Sequence, residues 1–286
     1  MTGIDPNAKR AWLDETSYWT PKWLVPSAWH EHSPFAFWLI NALRPRTIVE
    51  LGTHNGFSFF VFCEALKRLG LSAEVNALDT WEGDEHAGRY DETVFESVTR
   101  ISTEDYPDLA VMKRGYFDDF VEGTPDGSVD LLHIDGRHRL EDVWHDFNSW
   151  LPKVSDRGVI IFHDTTEHKK DFGVWQFWAE VSRSYPSFQF VHGHGLGVLA
   201  VGTEVPTAIT EFLAAANADP DRVRSTYHEL GGRVSEAAAV GRRLAAVTRE
   251  RDQLRREVED LRTSTSWRFT APMRAVTGRM RRAPKS

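Results

Sequence analysis

Cysteine is almost missing from this chain: Cys63 is the only one among 286 residues. That excludes an intrachain disulfide and any zinc site built on paired cysteines, and it agrees with a reducing cytoplasm. Long apolar runs are missing as well. The longest stretch without Asp, Glu, Lys or Arg runs from Ser184 to Thr203, and it carries Pro186, two histidines and four glycines. Its apolar residues alternate, so it reads as a hairpin and not as a membrane span. The first residues lack a basic region followed by an apolar one, so no secretory leader is expected. There is no P-loop, no internal repeat of 20–50 residues and no G-x-G-x-x-G turn.

Charge is unevenly spread. From Arg262 to Ser286 there are six arginines, one lysine and no acid, while the whole chain carries −8. The remainder therefore carries −15, from 27 basic against 42 acidic residues, which argues against nucleic-acid binding by the main body. What the chain does have is tryptophan. Trp12, Trp19, Trp23, Trp29 and Trp38 crowd the first forty residues, which implies an N-terminal segment that packs.

Strand-like and helix-like stretches then alternate. "SPFAFWLINAL" reads as a helix ended by Arg44-Pro45, "TIVEL" as a buried strand, and "FSFFVFCEALKRLG" as a helix closed by Gly70. "EVNALD", "AVMKRGYF", "VDLLHID" and "GVIIFHD" read as further strands. Between them lie helical patterns at 91–105 and in "LEDVWHDFNSWL", with another in "GVWQFWAEVSRSY" after the last of them. "FQFVHGHGLGVLAVG" breaks the rhythm as two strands joined by a Gly/His turn. The expectation is an α/β fold with a doubly wound, mostly parallel sheet ending in a β-hairpin. Four regions follow: a Trp-rich helical cap (1–45), the sheet domain (46–203), a helical extension (204–262) and a basic tail (263–286). In the extension, Val240, Leu244, Val247, Leu254, Val258 and Leu261 are spaced 4, 3, 7, 4 and 3, with Arg251 at the skipped position. That heptad seam implies a short coiled coil and a homo-oligomer formed through residues 234–262.

Ligands of doubly wound sheets sit beyond the carboxyl ends of the strands. After the first strand comes "VELGTHNGFS", with Glu50, Gly52, Thr53, Gly56 and Ser58 opening into a helix, whose N-terminus offers free N–H groups. The second strand ends at Asp79, placed to accept hydrogen bonds from ribose hydroxyls.

Glu-x-Gly-x-x-x-Gly-x-Ser, with an acid after the next strand, resembles class I S-adenosylmethionine-dependent methyltransferases. "LDTWEGDEHAG", "LLHIDGRHRLEDVWHDFNSWLPKVSDRGVIIFHDT" and "FGVWQFWAE…GHGLGVLAVG" extend the likeness, toward a bacterial branch associated with glycan assembly and natural-product tailoring. The resemblance implies a seven-stranded sheet of order 3-2-1-4-5-7-6 and S-adenosylmethionine as cofactor. It places Glu50, Gly52, Thr53, Gly56 and Ser58 along the methionine and ribose of that cofactor. Asp79 would hold the ribose hydroxyls, with Thr80 and Trp81 beside the adenine and Asp135 near the reactive end.

Strand adjacency gathers Asp135, His138, His163 and Asp164 into one region. A hydroxyl nucleophile needs a base, which His138 can supply with Asp135 orienting the acceptor. The resemblance also implies a divalent cation, magnesium or manganese, on Asp135, His163 and Asp164; His163 stands where the family has an acid, which leaves open manganese, another nitrogen-tolerant ion or no metal at all. His133 is expected to be a core histidine, Glu141 and Asp142 to start a helix, and His192 and His194 to make the hairpin turn. Glu82, Asp84, Glu85 and His86 are candidates for a lid. The function implied is O-methylation of a sugar hydroxyl in a surface glycan or glycosylated metabolite. The alternatives are a non-catalytic cofactor-binding scaffold of a glycan-assembly complex and a metal-assisted hydrolase. "SWRFTAPMR" in the basic tail resembles a segment of bacterial polysaccharide glycosyltransferases, and its aromatics among arginines suit contact with such a complex or with an anionic membrane surface.

Overall fold

The structure, a computed structural model, describes residues 10–84, 88–169, 171–271 and 274. It divides into two compact units, Met1–Ala238 and Ala239–Ser286.

The first unit is built on seven strands: β1 Thr47–Leu51, β2 Glu74–Asp79, β3 Ala110–Arg114, β4 Val129–Ile134, β5 Val154–His163, β6 Ser187–Phe190 and β7 Leu196–Ala200. Their order is 3-2-1-4-5-7-6. Strands β1 to β5 are parallel; β7 runs antiparallel to β5, and β6 antiparallel to β7. This is the expected sheet, including its terminal hairpin. A separate two-stranded ribbon, Gly83–Asp84 against Gly88–Arg89, was not expected: its strands are too short to show a pattern. The third strand stops at Arg114 rather than running on through Phe117.

The central strands are apolar on both faces because helices cover both. Side chains alternate across a strand, so Ile48 and Leu131 join a core with Phe35, Phe59 and Phe60, while Val49, Leu51 and Leu132 join one with Phe147 and Phe177. Helices α1 (Ser33–Leu43) and α2 (Phe57–Leu69) cover the first face, and α4 (Leu140–Trp150) and α5 (Val174–Val181) the second; α3 (Glu92–Asp105) precedes β3. Arg44 ends α1 in the left-handed conformation, φ 47°, because the following Pro45 cannot continue a helix.

The Trp-rich segment packs, as its composition implied. Trp12, Trp29 and Trp38 are buried, although among the described residues of this segment only α1 is α-helical and residues 10–32 run as loops with single turns at Glu15–Tyr18 and His30–His32. The Tyr227 hydroxyl donates to the Trp12 carbonyl at 2.6 Å. Helix α6 (Thr207–Ala218) and the beginning of α7 (Pro220–Thr263) contribute Ile209, Phe212, Val223 and Tyr227 to the same core.

In the second unit, α7 continues to Thr263, and Ser264 caps a short α8 (Thr265–Phe269) by accepting from the Trp267 amide. Val240, Leu244, Val247, Leu254, Val258 and Leu261 are all exposed, between 45% and 66%. Met273, Val276 and Met280 of the tail lie outside the described residues. Among the described residues no helix is long and apolar enough to cross a membrane.

Candidate active site

The parallel strands bring their carboxyl ends to one edge, and a cavity of about 400 Å³ opens there. Backbone ladders run one residue past the strands: the Gly52 amide donates to Leu78 and the Asp135 amide to Leu51, each at 2.9 Å. The turns after β1 and β4 are therefore locked in register. They touch so closely that a Cβ at Gly52 would stand 2.1 Å from the Asp135 carbonyl oxygen, and Gly52 has φ +90°. Only glycine fits this crossing.

One end of the cavity is made by the glycine turn. Gly52, Thr53, Ser58, Asp79 and Thr80 line it. Asp79 is held by three main-chain donors: Oδ2 accepts from the Thr53 and His54 amides at 2.9 Å each, and Oδ1 from the Trp81 amide at 2.7 Å. A carboxylate offers about four lone-pair sites, so Asp79 keeps capacity for a hydroxyl in the cavity. Gly56, φ 80°, is the residue before α2.

Three residues expected at this end are not on the cavity wall: Gly56, and Glu50 and Trp81, which stand behind it. Glu50 is fully buried, its Oε1 accepting from Ser58 Oγ at 2.5 Å and lying 2.9 Å from His133 Nδ1; it buttresses the turn from inside the sheet. Trp81 is also buried, donating from Nε1 to the His54 carbonyl at 2.9 Å. Sequence order alone could not separate a side chain that faces a ligand from one that supports the turn. His133 is a core histidine, as expected.

The other end carries Asp135, His138, His163 and Asp164, all on the cavity wall. His138 Nε2 lies 2.8 Å from Asp164 Oδ2 and 3.9 Å from Asp135 Oδ1, and its ring stacks on Phe172 at 4.5 Å. His163 lies under both acids, with Nδ1 3.3 Å from Asp135 Oδ1 and 3.4 Å from Asp164 Oδ1, and Nε2 3.0 Å from the Gly193 carbonyl. Burial opposes a charge on His163, but the two carboxylates override it and raise its pKa to about 9. Burial likewise pushes the Asp164 carboxyl up, and His163 and His138 outweigh it, holding the pKa at about 2. This end is a set of fixed charges: two carboxylates over a buried imidazolium.

Among the described residues, the set that could hold a divalent cation is Asp135, His138 and Asp164, whose ligand atoms lie within 4.8 Å of one another. Two carboxylates and one imidazole fit a nitrogen-tolerant ion such as manganese. His163, expected as a ligand, is not in this set, because one ring nitrogen faces Gly193 and the other the two acids.

Other cavity residues gave no sequence signal of their own. Pro26 to Trp29 close one side from the N-terminal segment, and Tyr116 and Phe117 follow β3. His54 and Tyr90 stack face to face at 4.3 Å, 10° apart. Asp146 did carry a signal: it sits beside Phe147 and three residues after Val143, on the buried face of α4. Burial above all raises its carboxyl to about 7. Glu141 and Asp142 do occupy the first turn of α4, and Asp142 also reaches the cavity. Of the candidate lid, Glu82 lines the cavity, while Glu85 and His86 lie outside the described residues.

Residues 49–165 match the family model described as a methyltransferase domain. With the strand order 3-2-1-4-5-7-6, that match decides the class. The sheet domain is a class I S-adenosylmethionine-dependent methyltransferase domain. An uncharacterized protein of Sinorhizobium fredii, y4gI, is 47% identical to the chain over 197 residues, which are 69% of this chain and 22% of that protein. The chain thus spans about a fifth of that relative's length. Among solved structures, the methyltransferase domain is similar to an O-methyltransferase from Bacillus cereus in complex with SAH (17% identity, 62% of this chain and 82% of that one, TM-score 0.45). It is also similar to the O-methyltransferase TomG from Streptomyces achromogenes, involved in tomaymycin synthesis and solved with SAM (16% identity, 66% and 100%, TM-score 0.44).

Proposed function

We propose that the methyltransferase domain moves the methyl group of S-adenosylmethionine to a hydroxyl oxygen of a sugar, in a surface glycan or a glycosylated metabolite. The observation that carries this reading is the His138–Asp164 pair, 2.8 Å apart, beside Asp135, at the end of the strand next to the glycine turn. In the transfer the acceptor oxygen forms a bond to the methyl carbon, the sulfonium–carbon bond breaks, and the hydroxyl proton passes to the His138 imidazole. Asp164 Oδ2, 2.8 Å from the His138 Nε2 that faces the cavity, stabilises the imidazolium so formed. Asp135 accepts a hydrogen bond from the acceptor and favours the positive sulfonium. A polar, acid- and histidine-lined wall suits a polyhydroxyl acceptor better than an apolar one. A divalent cation held by Asp135, His138 and Asp164 would supply a Lewis acid for the same hydroxyl, and His138 could not then also be the base. The setting that goes with this reading is the bacterial cytoplasm, with the basic tail near the inner membrane face.

The test is calorimetric titration with S-adenosylhomocysteine, joined to turnover on sugar acceptors, with and without manganese or magnesium. Asp79→Ala is expected to weaken cofactor binding by about 30-fold or more, since one acceptor serving several donors is lost. His138→Ala is expected to bind the cofactor normally and to lose roughly 10²–10⁴-fold in kcat. Near-normal turnover of His138→Ala across about pH 6–9 would remove it as the base. Cofactor binding without turnover on any acceptor would favour the scaffold.

A further inference from the structure

The second unit presents an apolar seam that none of the described residues of that unit covers. Val240, Leu244, Val247, Leu254, Val258 and Leu261 fall at the two seam positions of a seven-residue repeat, and each is at least 45% exposed on α7. A helix that exposes every third and fourth apolar residue over more than three turns needs a partner helix.

The charges beside the seam say which partner. Glu250 and Glu257 each stand immediately before a seam residue, Arg251 and Val258. Arg255 and Arg262 each stand immediately after one, Leu254 and Leu261. When two such helices run parallel and in register, the residue before one seam position faces the residue five places later on the other chain. Glu250 then meets Arg255 of the partner subunit, and Glu257 meets Arg262 of the partner subunit; two-fold symmetry repeats both contacts, giving four favourable pairs. Run antiparallel, like positions face each other, and the pattern pits glutamate against glutamate and arginine against arginine. Among the described residues none of Glu250, Arg255 and Arg262 is spent on an ion pair within its own chain, while Glu257 accepts only from Gln253.

Arg251 sharpens the choice. It occupies a seam position, with its guanidinium turned to Asp252 at 2.7 Å. In a two-stranded coil such a side chain can reach water past the seam, whereas three or four strands would enclose it.

We propose that residues 240–262 bind a second copy of this chain as a parallel, in-register, two-stranded coiled coil. This interface does not depend on the methyl-transfer reading and would hold if that reading failed.

The experiment uses the full chain. Sedimentation equilibrium at micromolar concentration should give the mass of a dimer. The double variant Glu250→Arg/Glu257→Arg turns all four attractions into repulsions and should raise the dimer dissociation constant by about tenfold or more, an effect that shrinks in high salt. Its helix content and S-adenosylhomocysteine binding should stay unchanged, which separates lost pairing from lost folding. Orientation is read from Leu261→Cys: the native Cys63 is buried, so mild oxidation should yield a disulfide-linked dimer only if the two helices run the same way. A monomeric wild-type chain would overturn the proposal, and so would a trimeric mass. A dimer indifferent to the charge swap, or one that Leu261→Cys fails to cross-link, would overturn it as well.

Discussion

The two ends of the cavity are built on opposite principles. At the glycine turn the work is done by main chain: three amides hold Asp79, and a crossing that only glycine permits brings β1 and β4 together. At the far end it is done by titratable side chains, His138, His163, Asp135 and Asp164, each within 4 Å of another. A site fixed by main-chain donors suits a ligand that is always the same. A site of coupled charges can move a proton, and it pays for that ability with dependence on pH.

The contrast can be broken most directly at His163. His163→Leu leaves Asp135 and Asp164 without their buried cation, and removing one member of a buried charge set costs about 3–5 kcal/mol. The folded pKa of about 9 stands above the ordinary 6.5, so the stabilisation is fully present below about pH 6.5 and is lost as pH rises through about 9. Urea unfolding of both proteins from pH 6 to pH 9.5 should show the gap narrowing upward. A gap that stays constant would mean the ring is held for its shape.

A smaller effect of opposite character is expected at Asp146. Its folded pKa of about 7 exceeds the ordinary 3.8, so the folded state keeps a proton that the unfolded chain gives up. Wild-type stability therefore falls between about pH 4 and pH 7 on this account. Asp146→Asn should match wild type near pH 4 and exceed it by roughly 2–4 kcal/mol at pH 8; equal stability at both pH values would place a cation beside the carboxylate. The smallest effect belongs to the exposed pair of His145 Nε2 and Asp118, 2.9 Å apart. The hydrogen bond to Asp118 raises the His145 pKa. In Asp118→Asn, NMR titration should find that pKa lowered, with the unfolding midpoint unchanged.

The same division explains what could be read in advance. Strands and hairpin followed from period and composition, because "TIVEL" and "VDLLHI" have no other way to bury themselves; the strand order followed from the family resemblance. Asp79 was legible because the acid and the glycine turn sit on consecutive units of one βαβ motif. Asp135, His138, His163 and Asp164 were legible as a group through strand adjacency, but not their hydrogen-bond partners. Whether His163 points at a ligand or at Gly193 depends on a hairpin turn thirty residues away. Glu50 and Trp81 looked like ligand residues because they lie in the right order; burial turned them inward. Pro26 to Trp29 reach the cavity only through tertiary packing, and no local pattern announces that.

The Gly193 carbonyl oxygen accepts from two buried rings at once, His32 Nε2 at 2.9 Å and His163 Nε2 at 3.0 Å. It belongs to the hairpin at the edge of the sheet, where strands ordinarily fray first. Here fraying would strand two buried donors, at about 1–3 kcal/mol each, so opening of the turn on its own is disfavoured. In kinetic terms this couples loosening of the sheet's outermost hairpin to loosening of the cavity wall at His163.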